Sequence, residues 1–95
     1  MNIEQRTDQK LADIFKVLSE PNRISILRIL QHSNRELTCG EVSRQLNISP
    51  STVSYHFKAL RKAELTNTRQ MAQAKLLSIN RETFQKYLPN FLDSL

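Results

Sequence analysis

The sequence predicts a mainly α-helical domain that carries one small β-hairpin. Apolar residues recur at helical spacing along most of its 95 residues, whereas the stretch from 65 to 79 is rich in Thr and in branched or large apolar residues. A chain of this length has room for one domain, so we assign residues 1–95 to a single domain. With 39% hydrophobic residues, 24% charged residues, one Gly and three Pro, the composition is that of a globular protein rather than a disordered one.

The first two helices are predicted from an apolar repeat and from a proline. Thr7 can cap a helix that ends near Leu18. The apolar positions of this helix recur at helical spacing and are Leu11, Ile14, Phe15 and Leu18. Pro21 suits the first position of a helix and disfavours a helical residue before it, so a second helix is expected over residues 21–32.

Residues 36–38 are expected to form a short extended piece that leads into a third helix. Thr38 and Glu41 have the spacing of a capping box, in which a hydroxyl and a carboxylate each bind a free backbone N–H at a helix start. The third helix is expected to stop at Asn47, because Asn tolerates the left-handed backbone of a tight turn.

A fourth helix follows within three residues of this stop. Ser49 is a good N-cap and Pro50 suits the first helical position, which predicts a helix over residues 50–63. Two helices joined by a turn of about three residues form a helix-turn-helix, here over residues 38–63. The inward side of the fourth helix is its apolar line of Val53, Phe57 and Leu60.

The opposite side of the fourth helix is polar and basic. On a helical wheel it consists of Ser51, Ser54, Tyr55, Lys58, Arg61 and Lys62, with Thr52 and His56 at the flanks. Small hydroxyls near the helix start let the backbone approach base edges and phosphates, while the cations further along can neutralise phosphate charge. This pattern is typical of a helix that recognises DNA.

The last third of the chain predicts a hairpin and a final helix. Residues 65–70 and 74–79 have strand composition and bracket a tip at residues 71–73, but the tip lacks Gly, Asn and Asp, so the turn type stays open. Asn80 is expected to cap a helix that Pro89 must kink or split. The apolar stripe of this helix is Phe84, Tyr87, Leu88, Phe91, Leu92 and Leu95.

Positive charge is concentrated in the middle of the chain. The net charge is +5, and residues 35–80 hold seven Lys and Arg against three Asp and Glu, whereas both ends are nearly neutral. Surface charge is usually only solvated, but these cations fall on the predicted recognition helix and hairpin, which favours nucleic acid as the partner. No stretch is apolar enough to predict a membrane span or a signal peptide, so we expect a cytoplasmic protein.

The order of elements and two strings of residues resemble the ArsR/SmtB family of small bacterial winged-helix repressors. The strings are VLSEPNRISIL at residues 17–27 and LNISPSTVSYHFKAL at residues 46–60. The resemblance implies a winged helix-turn-helix of order α-α-α-α-β-β-α and a homodimer that represses by binding operator DNA, which we expect to be an inverted repeat. It places the fourth helix in the major groove, makes residues 65–79 the wing, and makes residues 1–18 and 80–95 the dimer seam.

The resemblance and the helical wheel together give two sets of candidate residues. The expected DNA-binding residues are Ser49, Ser51, Thr52, Ser54, Tyr55, His56, Lys58, Arg61, Lys62, Arg69, Gln73 and Lys75. The expected dimer-interface residues are Leu11, Phe15, Leu18, Phe84, Tyr87, Leu88, Phe91, Leu92 and Leu95. An apolar stripe is more often core than interface, but six large apolar residues in the last twelve exceed what a small monomer needs for its core.

The chain departs from the metal-sensing members of the family. Their Glu-Leu-Cys-Val-Cys-Asp-Leu string falls here on residues 36–42, where Thr38 and Gly40 replace both Cys ligands and Cys39 stands between them. The other familiar site uses His and carboxylates on the last helix, and residues 81–95 contain no His. We therefore expect no metal site and no cofactor, and the sequence does not name an inducer.

Two positions where the family usually has Gly carry other residues here. The wing tip, often Glu-Gly, is Met71-Ala72, and the Gly usual after the fourth helix is Glu64. These replacements leave the geometry of the wing open.

Three further side chains each have two interpretations. Cys39 can be a redox-sensing thiol at a helix N-terminus or a small apolar residue of the third helix, pointing into the core. His32 can be a metal ligand or interact with the negative end of its helix. His56 can approach DNA or pack beside Phe57.

The sequence contains no motif that indicates a catalytic function. There is no Gly-rich phosphate loop, no Cys and His motif and no nucleophile elbow, and the carboxylates are scattered. The sequence therefore predicts a DNA-binding transcriptional regulator that is not an enzyme. The alternative is a winged-helix module that binds protein through its fourth helix or its apolar C-terminus.

Overall fold

The computed structural model of the chain describes the backbone of residues 3–95 and the side chains of residues 6–95. Within this range the α-helices are α1 (Ile3–Leu18), α2 (Pro21–His32), α3 (Cys39–Leu46), α4 (Pro50–Lys62) and α5 (Arg81–Tyr87). The strands are β1 (Leu37–Thr38), β2 (Thr66–Met71) and β3 (Ala74–Ile79), and Leu92–Ser94 forms a short 3-10 helix. The predicted fold class, mainly α-helical with a small hairpin, is confirmed.

Helices α2 and α4 begin where Pro21 and Pro50 predict. Pro21 and Pro50 each occupy the first position, and the preceding side chains bind free backbone N–H groups. The Glu20 carboxylate accepts from the N–H of Asn22 at 3.3 Å, and the Ser49 hydroxyl accepts from the N–H of Thr52 at 3.2 Å. These caps fix the start of both helices.

The start predicted for the first helix is wrong. Helix α1 begins at Ile3 rather than at Thr7, which therefore lies one turn inside the helix. The residues at 4–6 are Glu, Gln and Arg, which are good helix formers, so the helix extends through them without needing a cap at Thr7.

One apolar core joins the helices to the sheet. Its fully buried large side chains are Ile14, Ile26, Leu27, Val42, Val53, Leu60, Leu65 and Leu77. They come from α1, α2, α3, α4, the start of the hairpin and β3, and each stabilises the fold by about 1.5–3 kcal/mol through burial. The core therefore fixes α3 and α4 relative to the hairpin.

The sheet contains the predicted hairpin and one additional strand. Strand β3 lies in the middle, with β1 and β2 antiparallel on either side of it. Met71 pairs with Ala74, so Ala72 and Gln73 form a two-residue turn at the tip. The extended piece predicted at residues 36–38 is β1, and its pairing with β3 attaches the hairpin to the segment that leads into α3.

Both positions at which Gly is usual in the family keep a left-handed backbone here. Glu64 has φ 65° and Ala72 has φ 54°, a conformation that costs a residue with a Cβ atom about 1–3 kcal/mol. Glu64 also pairs with Lys10, with 3.2 Å between carboxylate oxygen and Nζ, which connects the end of α4 to α1. The wing thus keeps a tight turn despite the replacements.

The final helix is split, as Pro89 predicts. Helix α5 ends at Tyr87, Asn90 takes a left-handed φ of 71°, and the chain then forms the 3-10 helix. Asn80 occupies the N-cap position, as predicted, but its side chain makes no capping hydrogen bond. Its backbone N–H instead donates to the carbonyl oxygen of Leu65 at 2.9 Å.

Glu41 completes the predicted capping box and also binds Arg35. Its carboxylate accepts from the N–H of Thr38 at 3.0 Å, while the Thr38 hydroxyl accepts from the N–H of Glu41 at 3.2 Å. Hydrogen bonding to the Arg35 guanidinium, followed by the bond from the Thr38 N–H, lowers the pKa of Glu41 from 4.5 to about 2. The ionised carboxylate therefore stabilises the fold above about pH 4.5, and this stabilisation is lost as the pH falls towards 2.

We expect Glu41→Gln to make the unfolding free energy less dependent on pH in this acidic range. Urea unfolding at pH 6 and pH 3 measures the effect, since the wild type loses more than half of the Glu41 contribution between these values and the variant has none to lose. The control is Glu82→Gln, which removes the same charge from an exposed position on α5. Equal pH dependence in wild type and Glu41→Gln would contradict the argument.

Candidate nucleic-acid interface

The turn between α3 and α4 sets the angle at which α4 leaves the core. Asn47 ends α3 with φ 56°, as predicted, and the N–H of Ile48 donates to the carbonyl oxygen of Ser43 at 3.3 Å. The Ser43 hydroxyl donates in return to the carbonyl oxygen of Ile48. Ser49 then caps α4, so three residues connect two firmly hydrogen-bonded helix ends. The predicted helix-turn-helix is confirmed.

The polar face predicted for α4 is exposed. Val53, Phe57 and Leu60 are buried, which turns the other side of the helix to solvent. The exposed residues on that side are Ser51, Ser54, Tyr55, Lys58, Arg61 and Lys62, and Thr52 is half-buried. Tyr55 is the aromatic residue among them, with 66% of its surface exposed. This face has hydroxyls and an aromatic ring in its first half and cations in its second half.

A cluster of hydroxyls lies at the N-terminus of α4. The Ser49 oxygen is 2.8 Å from the Thr52 oxygen and 3.1 Å from the Ser51 oxygen. Ser49 is also the N-cap, so its oxygen is already engaged with the helix start. Because each hydroxyl can both donate and accept, Ser51 and Thr52 keep capacity to bind phosphate or a base edge.

His56 lies inside the protein and not at the flank of the exposed face. Only 7% of its surface is exposed, and its Nδ1 accepts a hydrogen bond from Nε of Arg23 at 3.2 Å. Arg23, on α2, also donates to the carbonyl oxygen of Val17 at 3.3 Å and places its guanidinium 5.9 Å from the centre of the Tyr55 ring. His56 therefore connects α4 to α2, and this position removes it from the candidate DNA contacts.

A cleft separates α4 from the wing, which consists of β2, β3 and their turn. Ser54, Lys58 and Arg61 line one side, and Thr68 and Lys75 line the other. Arg61 donates from Nη1 to the Thr68 hydroxyl at 3.5 Å, near the limit for a hydrogen bond. All charged side chains that line the cleft are cations, so it favours an anion such as a DNA phosphate.

Cys39 lies at the edge of this cleft. Its side chain is half-buried against the core, and its Sγ is 3.6 Å from the hydroxyl oxygen of Ser54. The prediction that Cys39 points into the core is therefore only partly right. It reaches the core with one side and the recognition face with the other, because the capping box places it in the first turn of α3, beside α4.

Arg69 lies on the other face of the sheet. Its backbone partner across the hairpin is Leu76, whereas Thr68, which contacts α4, pairs with the buried Leu77. Because neighbouring side chains along a strand point to opposite faces, Arg69 points away from α4. There the Glu36 carboxylate accepts from Nε of Arg69 at 2.8 and 2.9 Å, and its Oε1 lies 2.7 Å from Nη2.

The sequence contained no local signal for this ion pair. Hydrogen bonding to Arg69 lowers the pKa of Glu36. Gln73, also a candidate DNA contact, is exposed in the turn of the wing beside Met71, which is 54% exposed.

The candidate dimer residues divide into three groups. Leu18 and Phe84 are 8% and 2% exposed and belong to the core of their own chain, which removes them from the expected interface. The half-buried residues are Leu11, Tyr87, Leu88, Phe91, Leu92 and Leu95. Phe91 stacks on Phe84 with ring centres 5.9 Å apart. Phe15 differs from all of these, since 54% of its surface is exposed.

His32 and the acidic side chains form no metal site among the residues whose side chains are described. The ring of His32 contacts the carbonyl oxygen of Leu95, with 2.9 Å from Nε2, and so joins α2 to the C-terminal segment. Across residues 6–95, no three His, Cys, Asp or Glu side chains converge as a metal ion requires.

In the described part of the chain, no helix combines the length and apolar character needed to cross a membrane.

Comparison with known proteins decides the family. A family profile described as a helix-turn-helix domain matches residues 18–69. The arsenical resistance operon repressor of Staphylococcus xylosus is 35% identical over 85 residues, which cover 90% of this chain and 79% of that protein. The chain belongs to the ArsR/SmtB family. As a member of this family, it is a winged helix-turn-helix transcriptional regulator that binds DNA.

Two further similarities agree with a helix-turn-helix regulator of this fold. An uncharacterized HTH-type transcriptional regulator of Bacillus subtilis, YceK, is 50% identical over 95 residues, which cover all of this chain and 95% of that protein. The solution structure of a homodimeric winged helix-turn-helix DNA-binding domain from Mycobacterium bovis has a TM-score of 0.80. It covers 90% of this chain and 78% of that one at 19% identity, so it shows the shared fold.

Proposed function

We propose that this protein is a repressor that binds an inverted-repeat operator as a homodimer and reads it with α4. The observation that carries the proposal is the exposed face of α4, which holds hydroxyls, Tyr55 and three cations and no carboxylate. Cations and small polar groups on one face of a recognition helix are the chemistry that binds phosphates and base edges. The proposal includes no enzymatic activity, and because its target is operator DNA we place its action in the cytoplasm.

The two halves of α4 have different roles in this proposal. Ser51, Ser54 and Tyr55, near the helix start, contact base edges in the major groove, and Thr52 adds a hydroxyl at the flank. Lys58, Arg61 and Lys62 further along the helix neutralise phosphates together with Lys75 of the wing, and the amide of Gln73 donates a hydrogen bond to a phosphate oxygen. Sequence preference therefore comes from the first half of α4, and affinity for any DNA comes from the cations.

The dimer places two copies of α4 in successive major grooves. Half-sites of an inverted repeat are then about one helical turn, ~34 Å, apart. Residues 1–18 and 80–95 form the dimer seam, and its apolar side chains include the exposed Phe15 of α1 and the half-buried residues that follow Tyr87. Residues 38–63 read the DNA, and residues 65–79 contact its backbone as the wing.

A fluorescence titration with genomic fragments tests the proposal directly. The fragments include the DNA around the gene of this protein, and a duplex of random sequence measures binding that is independent of sequence. We expect one or more fragments to bind at least a thousandfold tighter than random DNA, in the range of specific regulators. Equal binding to all fragments would remove the operator proposal and favour a module that binds protein.

Lys58→Ala is expected to weaken binding to operator and random DNA by the same factor. Loss of one phosphate contact should flatten the slope of log affinity against log salt by about one unit, while the ratio of specific to random binding stays constant. The control is Arg28→Ala, which removes the same charge from an exposed position on α2. A loss confined to the operator would show that Lys58 reads bases.

Thiophilic and divalent metals are expected to leave the operator complex intact. Arsenite, antimonite and cadmium need two or three convergent thiolates, and this chain offers only Cys39. Zinc and nickel need several converging His or carboxylates, whereas His32 and His56 lie on different helices and each has a protein partner. The similarity to the arsenical repressor of S. xylosus therefore does not extend to its inducer in this proposal.

The measurement follows DNA binding while each ion is added to reduced protein, beside the variant Cys39→Ser. Release of DNA by a stoichiometric metal ion, abolished by Cys39→Ser, would contradict the ligand count. Release of wild-type protein by peroxide alone, also abolished by Cys39→Ser, would make Cys39 a redox sensor.

A further inference from the structure

The ion pair between Glu36 and Arg69 connects the wing to the segment that starts the helix-turn-helix. Glu36 directly precedes β1, and β1 ends at Thr38, the N-cap of α3. Arg69 lies in β2, the strand of the sheet furthest from β1. Their side chains therefore reach over β3 and join the two outer strands on the face of the sheet that points away from α4.

The Glu36 end of this pair is itself held firmly. Arg35, the preceding residue, binds Glu41 in the first turn of α3, and Glu41 also accepts from the backbone N–H of Thr38. Residues on both sides of Glu36 are thus attached to α3. A contact from Arg69 to Glu36 therefore fixes the orientation of the wing relative to the helix-turn-helix.

The geometry of the pair uses the Nε side of the guanidinium. Nε and Nη2 both face the carboxylate, at 2.7–2.9 Å, and form the two-point contact that gives an arginine pair its directional strength. Although 57% of the Arg69 side chain is exposed, the cations of the cleft lie on the opposite face of the sheet. Arg69 is therefore poorly placed to join Lys75 in contacting phosphate.

We propose that Glu36 and Arg69 form a brace that sets the position of the wing on DNA, so that Arg69 is a positioning residue and not a ligand of phosphate. This inference rests on the proposed function, because it assumes that the wing contacts DNA. Surface ion pairs usually contribute little, up to about 1 kcal/mol, and well-formed two-point pairs lie at the upper end. Loss of the brace should therefore weaken DNA binding by about two- to fivefold.

Three variants distinguish a brace from a phosphate contact. They are Glu36→Gln, Arg69→Gln and the double exchange of Glu36→Arg with Arg69→Glu. The double exchange keeps the net charge and the ion pair but removes the cation from position 69. We expect it to bind random-sequence DNA with the affinity and salt slope of the wild type. Glu36→Gln should bind more weakly, although the added positive charge would by itself favour DNA. The control is Glu82→Gln, which removes the same negative charge outside the ion pair and so measures the effect of charge alone on DNA affinity.

Amide hydrogen exchange without DNA gives a second measurement of the brace. Both single variants should exchange faster than the wild type at residues 70–75, and the double exchange should restore protection. Unchanged protection in the single variants would overturn the brace. Arg69 would instead be a phosphate ligand if three results came together. Glu36→Gln would bind DNA more tightly, Arg69→Gln would flatten the slope of log affinity against log salt by about one unit, and the double exchange would not restore DNA affinity. Absence of DNA binding by the wild type would defeat the proposed function, while amide exchange would still decide whether the pair holds the wing.

Discussion

The triple variant Ser51→Ala, Ser54→Ala and Tyr55→Ala is expected to lose most of its preference for the operator over random sequence. Each well-placed contact to a base edge contributes about 1–3 kcal/mol of discrimination, so three together contribute about 3 kcal/mol or more. The ratio of operator to random affinity should fall by about a hundredfold or more. The measurement is a pair of fluorescence titrations at the same salt concentration.

The triple variant should remain folded, which makes its loss of discrimination interpretable. All three side chains are exposed, and Ala is the best helix former, so the substitutions remove only surface contacts, those of Tyr55 with Arg23 and of Ser54 with Cys39 among them, and favour the helical backbone of α4. The cap at Ser49 and the cations Lys58 and Arg61 stay in place, so random DNA should bind with nearly unchanged affinity and serves as the internal control. If the ratio of affinities stays the same, α4 does not read the operator.

The helix-turn-helix could be predicted from the sequence because local signals determine it. The capping box at Thr38, the left-handed Asn47 and the Ser49-Pro50 start each act within four residues, and each forms the predicted contact or backbone conformation. The periodic line of Val53, Phe57 and Leu60 then determined which side of α4 is exposed. Local hydrogen bonds and one apolar period were therefore sufficient to predict this part of the protein.

The contacts that the sequence did not reveal join residues far apart along the chain. His56 is buried and binds Arg23, 33 residues earlier, and Arg69 is held by Glu36, also 33 residues earlier. A helical wheel places His56 at the flank because it considers one helix in isolation, without α2 packed against it. The direction of Arg69 likewise depends on the register of the hairpin, which the missing turn residues left open.

Phe15→Arg is expected to convert a dimeric wild type into a folded monomer. Phe15 is 54% exposed in the single chain, so a charge there remains solvated in the monomer. In an apolar seam the same charge would be buried without a partner, at a cost of several kcal/mol. Phe91→Arg, at the other side of the proposed seam, is a less clear test, because Phe91 stacks on Phe84 within its own chain and its loss would also disturb the fold.

The monomer should lose most of its affinity for the operator. Once a dimer has bound one half-site, its second α4 is held close to the other half-site. This proximity raises the affinity about 10²- to 10⁴-fold over that for one half-site. Sedimentation at micromolar concentration measures the assembly, and a titration with operator DNA measures the consequence, with Phe15→Leu as the control that keeps the seam apolar. A monomeric wild type would contradict the proposed dimer. A dimeric Phe15→Arg would place the seam away from this side of α1, and binding as tight as that of wild type by a monomer would show that one α4 is sufficient.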